Sequence, residues 1–185
     1  MREHRNERPF VRGSTLETVE VTLEELRNQP DWQRYSLAWV EPQLDKTGEV
    51  AEALRQATRV DPARAAAALD GYVNFYYRSL ENARAGLELA SLLDAQESIA
   101  WFLEFVFAVH GRLRPYNKWL EWELEHHPLP SKNVQLARVE RIARTGDLAE
   151  QAALFRDAEA LARAHGLRHV IDGWEPDVAR LRGDA

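Results

Sequence analysis

The chain contains no cysteine, which excludes disulfides, Cys-based zinc sites and a cysteine nucleophile. A long apolar run is also missing. The opening "MREHRNERPF" is charged and leads into no secretory h-region. The most apolar stretch, residues 99–109, is too short to span a bilayer and carries Glu104. A cytoplasmic protein without membrane contact is therefore expected. Positive charge is not in excess either: 24 basic against 30 acidic residues give a formal net charge of −6. Such a chain does not grip nucleic acid over its whole surface, so no nucleic-acid partner is expected, although a local basic site stays open. Only three of the basic residues are lysines and alanine is abundant, a composition that suits a GC-rich bacterial genome. No Ser-His-Asp order, Walker loop or glycine-rich dinucleotide fingerprint occurs.

What is present is helical. The 185 residues, 45% of them hydrophobic, suffice for one core, or one domain with an appendage. Residues 18–22, "TVEVT", are mostly β-branched and predict a short strand. Thr22 and Glu25 then form a capping box for a short helix. No second strand follows, and a lone strand cannot satisfy its own backbone. "GEVAEALRQATRV" predicts a short amphipathic helix. Asp61 and Pro62 open a long one that ends near Gly86, with Leu69, Tyr72, Val73, Tyr76, Leu80 and Ala83 as its core stripe. A third helix over 88–109 is apolar nearly all round in its second half, the mark of a central bundle helix. A fourth starts at Pro115 and stops before "HHPLP". Ser131 caps a fifth that ends at Gly146, Asp147 and Glu150 open a sixth closed by Gly166, and "IDGWEPDVARLR" supports a last short helix. The expected fold is all-α. A bundle of about six to seven helices over residues 50–185 is preceded by a tail, residues 1–49, holding the β-strand remnant.

"HGRLRPYNKWL", residues 110–120, gathers Arg112, Arg114 and Lys118 at the end of that apolar helix. A helix start at Pro115 would leave free N–H groups and a positive dipole end for an anion, with Tyr116 and Asn117 adding hydrogen bonds. The alternative is that these cations pair locally with Glu121, Glu123 and Glu125. Gly71, Phe75, Ser79, Asn82 and Gly86, with Arg78 adjacent, line one face of the long helix. That face admits either a ligand or close helix packing. Glu97 and Glu104 lie on the next helix, where a buried carboxylate can act as a general base. Their structural alternatives are a cap with Asp94 and an ion pair with an arginine. Arg163 and His169 have the spacing of helical HEPN-type ribonucleases, but Gly166 breaks the helix between them. His126 and His127 point apart on a helix, so no metal site is expected there.

"YVNFYYRSLENARAG" and "LLDAQESIAWFLEFVFAVHGRLRPYNKWLEWELEHHPL" resemble the C-terminal helical domain of bacterial nucleotidyltransferases, distantly of the aminoglycoside-nucleotidyltransferase kind. The likeness runs from about Glu17 to the C-terminus and is strongest from Tyr72 to Leu129. It implies transfer of a nucleoside monophosphate from a magnesium-bound nucleoside triphosphate to a hydroxyl. The helical domain would close the cleft and bind the acceptor. On that likeness Arg78, Ser79, Asn82, Arg84, Asp94, Glu97, Arg112, Arg114, Tyr116, Asn117 and Lys118 face one cleft, and Glu20 stands where such proteins carry a third metal-holding carboxylate on its strand. Glu20 and Glu97 are then the catalytic candidates and the others bind substrate. The pattern departs from the family at its catalytic core. Gly13 and Ser14 resemble the Gly-Ser turn, but no Asp-x-Asp pair follows, and two-metal chemistry needs several carboxylates.

The implied protein is the helical substrate-binding part of a truncated or incomplete nucleotidyltransferase, taking a small polar or nucleotide-like ligand. It needs no cofactor by itself; magnesium and a nucleoside triphosphate enter only with a catalytic half supplied by a partner. Two other readings stand beside it. One is a HEPN-like partner of a separate minimal nucleotidyltransferase, of the toxin–antitoxin type. The other is a ligand-free helical module that forms a homo-oligomer.

Overall fold

The computed structural model describes residues 20–130 and 134–184, and no strand occurs among them. Of the predicted strand, Thr18 and Val19 lie outside the described residues, as do Gly13, Ser14 and the expected cap Ser131. Glu20 and Val21 are irregular and exposed. Thr22 belongs to a helix instead. Its hydroxyl accepts the Glu25 N–H at 3.1 Å while its own N–H donates to the Glu25 carboxylate at 2.7 Å, capping α1 (Leu23–Arg27). With no second strand to take its hydrogen bonds, this backbone is satisfied by the cap.

The next elements are α2 (Asp31–Arg34), which runs into a 3-10 turn over Tyr35–Leu37, and α3 (Glu49–Thr58). Leu26, Ala53 and Leu54 form a small apolar cluster with Leu23, Leu37 and Val50. The stretch before residue 50 therefore packs onto α3 and is no free tail over its described part. A boundary at residue 50 would cut through this cluster.

The long pair α4 (Ala63–Arg84) and α5 (Glu88–Val109) forms an antiparallel hairpin. Its turn closes on Gly86, whose φ of +71° a residue with a Cβ rarely adopts. Antiparallel register is plain from the contacts. The Ser79 and Ser91 hydroxyls each donate to the other residue's carbonyl at 2.9 Å, and nearer the open end Arg64 pairs with Glu104. Between them an added Cβ on Gly71 would lie 2.6 Å from the Trp101 ring. The face of small residues on α4 thus serves close packing. Tyr72, Tyr76, Phe102, Phe105 and Phe107 fill the core without exposure. The expected burial of 99–109 holds for its apolar face. Trp101, 37% exposed, and the ion-paired Glu104 mark the side that meets other surroundings.

After α6 (Leu120–His126) come α7 (Leu136–Thr145), α8 (Leu148–Ala164), α9 (Arg168–Asp172) and α10 (Val178–Leu181). Gly146, at φ +63°, closes α7, and Asp147 caps α8 by accepting the Glu150 N–H at 3.0 Å. The chain end is tied back twice. Tyr76 donates its hydroxyl to the Leu181 carbonyl at 2.9 Å, and Arg182 binds the buried Glu159, which Arg163 also reaches at 2.7 Å. No helix among the described residues is long and apolar enough to cross a membrane.

Hydrogen bonds from Arg182 hold the Glu159 carboxyl down to about 2, against an ordinary 4.5; burial opposes this and Arg163 adds to it. The folded state therefore keeps Glu159 ionised where the unfolded chain would protonate it. The resulting stabilisation is fully present above pH 4.5 and lost as pH falls toward 2. Glu159→Gln is expected to flatten that acid limb of the stability profile, measured by urea unfolding at stepped pH.

Candidate functional site

The chain reverses at the end of α5. Gly111, at φ +67°, lets the Arg112 N–H reach back to the Phe107 carbonyl at 3.0 Å. Residues 112–116 then cross the open end of the bundle. The predicted helix start at Pro115 is not realised. Pro115 is buried, Tyr116 stays extended at ψ 148°, and a 3-10 turn over Asn117–Trp119 precedes α6. The Tyr116 carbonyl takes the Trp119 N–H at 2.8 Å, so the turn begins two residues later than its proline suggests. With it goes the expected anion site at a helix end.

Arg112 is bound locally, as the pairing alternative holds. It donates to Glu123, only 1% exposed on α6, and to the His127 carbonyl at 2.7 Å. The other oxygen of Glu123 accepts the Tyr35 hydroxyl at 2.6 Å and the Trp39 indole N–H at 3.0 Å. The guanidinium also lies over the rings of Phe107 and Trp39, and Trp39 stacks on His127 with centroids 3.7 Å apart. A buried carboxylate needs such a full set of donors. The small cavity of about 150 Å³ beside Trp39 and Arg112 is walled by groups already engaged.

Arg114 is in a different state. It lines a larger open cleft of about 420 Å³, together with Asp31, Tyr35, Arg64, Glu104, Leu113, Pro115, Tyr116 and Asn117. Arg64 bridges Glu104 and Asp31, and Asp31 also receives Arg34 at 3.0 Å. Hydrogen bonds from Arg34 and then Arg64 hold the Asp31 carboxyl below its usual range. Among the described residues Arg114 makes one hydrogen bond, from Nη2 to Asn117 Oδ1 at 2.6 Å. Its buried Nε has no partner, and no carboxylate pairs with it among the described residues. Burial pushes this guanidinium down, with the charge of Glu104 partly restoring it. It is a cation withdrawn from water with no ion pair among the described residues, favoured only by the nearby charge of Glu104.

The remaining candidates lie elsewhere. Asp94 is buried on α5 and accepts Asn82 at 2.7 Å and Arg78 at 3.1 Å. Ser79 is engaged with Ser91, and Arg84 pairs with Glu81 at 3.3 Å. This group sits near the hairpin turn, whereas Arg112 and Arg114 follow the other end of α5, about 20 Å away at 1.5 Å per residue. The expected single cleft is thus two separate regions. Glu97 is exposed in mid-helix and forms no cap. Glu20 is exposed in irregular chain. Lys118 lies over the Trp119 ring and lines neither cavity. Glu104 is ion-paired, as its structural alternative requires, and Arg163 pairs with Glu159 while His169 is exposed. Among the described residues no group of three or more His, Asp or Glu side chains could hold a metal, so these residues do not fit a magnesium cage. Asp31, Tyr35 and Arg64 complete the cleft and carry no signal in the sequence. Their partners are remote in sequence, and no local pattern marks them.

Removing the Glu123 carboxylate should leave Arg112 charged and unpaired and two aromatic donors unmet. Glu123→Ala is expected to cost about 3–5 kcal/mol in urea unfolding, and Glu123→Gln clearly less, because the amide keeps an acceptor.

No protein-family model, curated protein or solved structure matches this chain.

Proposed function

We propose that this chain is a ligand-binding helical module of the nucleotidyltransferase type, and that it takes a small anionic molecule on Arg114 in the cleft between α2 and residues 112–117. The state of Arg114 carries this reading: it lines a cleft of ligand size and, among the described residues, makes one hydrogen bond and has no carboxylate partner. An arginine held for structure alone would be paired as Arg112 is. The likeness of "RLRPYNK" to nucleotidyltransferase helical domains supports the protein class. Catalysis would be the work of a partner that brings the metal-holding carboxylates, because Glu20 and Glu97 are both exposed and stand in no acidic cluster among the described residues.

Two outcomes follow. A ligand of the folded state stabilises it by mass action, about 2.7 kcal/mol at a hundredfold excess over the dissociation constant. Thermal melts in acetate, benzoate, phosphate and pyrophosphate should show such a rise for at least one anion at constant ionic strength. Arg114→Ala should abolish the rise while changing unliganded stability by less than about 1 kcal/mol. Melts unmoved by every anion, or moved equally in the variant, would refute the reading. Separately, the chain alone with magnesium and ATP or GTP should label no hydroxyl acceptor in a radiolabel-transfer assay. Magnesium-dependent transfer that vanishes in Glu20→Ala would overturn the division of labour.

A further inference from the structure

We infer that the anion of the Arg114 cleft is a singly charged carboxylate on a flat, apolar body, and not a phosphate ester or polyphosphate. This rests on the reading of the cleft as a ligand site and narrows its occupant. The first ground is charge. Two guanidiniums, Arg64 and Arg114, and two carboxylates, Asp31 and Glu104, line the cleft, and a third guanidinium, Arg34, stands behind it on Asp31. Arg64 is clasped by both carboxylates, and Asp31 holds Arg34 as well. One positive charge is left over, and it is that of Arg114. A monoanion neutralises it. A phosphate monoester carries close to two negative charges at neutral pH, and a triphosphate carries more. The surplus would then face Glu104 and Asp31 across a partly desolvated cleft, where like charges are costly.

The second ground is the wall. Tyr35 has its hydroxyl bound to Glu123 and gives the cleft its ring. Tyr116 meets that ring edge-on, with centroids 5.7 Å apart at 77°. Leu113 and Pro115 add apolar surface beside them. Such walls reward a planar hydrocarbon body, for which aromatic edges and faces are natural partners. They offer little to a hydroxyl-rich one. At about 420 Å³ the cleft has room for one small acid.

The test is calorimetric titration of the full chain with benzoate, acetate, inorganic phosphate and pyrophosphate at equal ionic strength. Benzoate should bind most tightly, about tenfold or more ahead of each of the others. Arg114→Gln should remove benzoate binding, and Tyr116→Ala should weaken benzoate while leaving acetate unchanged. Glu104→Gln, which raises the net charge of the cleft by one, should move the preference toward phosphate. If that variant fails to fold, the wild-type ranking decides alone. Phosphate or pyrophosphate binding ahead of benzoate through Arg114 would overturn the carboxylate assignment and leave the cleft standing as an anion site. Acetate equal to benzoate would overturn the apolar body. Absence of any anion binding would overturn both this inference and the functional reading beneath it.

Discussion

The open end of the bundle depends on one buried carboxylate. Glu123 is 1% exposed and collects the Tyr35 hydroxyl, the Trp39 indole N–H and the Arg112 guanidinium. Those donors come from the segment after α2 and from the chain leaving α5. Glu123 joins the two by hydrogen bonds, and the Arg112–Trp39 and Tyr35–Tyr116 ring contacts add to the same junction. A charge in so dry a place persists only when fully hydrogen-bonded, so the carboxylate also demands that all three donors be present. The geometry of the neighbouring cleft follows from this knot, since Tyr35 and the 112–117 loop form its facing walls.

The two arginines of "RLRP" show how identical side chains acquire different roles. Arg112 is compensated by Glu123 and backed by two aromatic rings. Arg114, two residues on, has among the described residues an amide oxygen as its sole hydrogen-bond partner and an unpartnered, buried Nε. Around it the other charges cancel: Arg34 and Arg64 stand against Asp31 and Glu104, so the cleft is polar and nearly neutral apart from one guanidinium. An acidic protein can in this way present a single uncompensated cation without any surplus of basic residues.

Much of the fold was legible because it is written in local signals. Gly86 and Gly146 close their helices in the left-handed region, Thr22 and Asp147 cap theirs, and the apolar stripes of α4 and α5 fix which faces turn inward. Local signals also misled. β-Branched residues before Thr22 favour a strand, but a strand needs a partner, and the described part of that stretch leads into a helix cap. Pro115 suits a first helical turn, yet Tyr116 stays extended and delays the turn. The candidate site was half legible. Arg114, Tyr116 and Asn117 come together at one cleft. Arg78, Ser79, Asn82 and Asp94 lie near the hairpin turn, because residues far along one helix are far apart in space however alike their chemistry. Which arginine finds an acid, and which remote tyrosine faces it, is decided by tertiary packing.

That packing has a temporal side. Tyr35 and Trp39 meet Glu123 across 88 and 84 residues, whereas the α4–α5 hairpin joins partners such as Ser79 and Ser91 only 12 apart. Loop closure over long separations is slow, and local helical pairs form first. On a ribosome, Tyr35 and Trp39 emerge well before the acid that anchors them. The partners they will meet, Arg112, Tyr116, Glu123 and His127, all follow the hairpin in the chain. The cleft is thus a late product of folding, closed only when the two ends of a long stretch of chain are brought together at a single carboxylate.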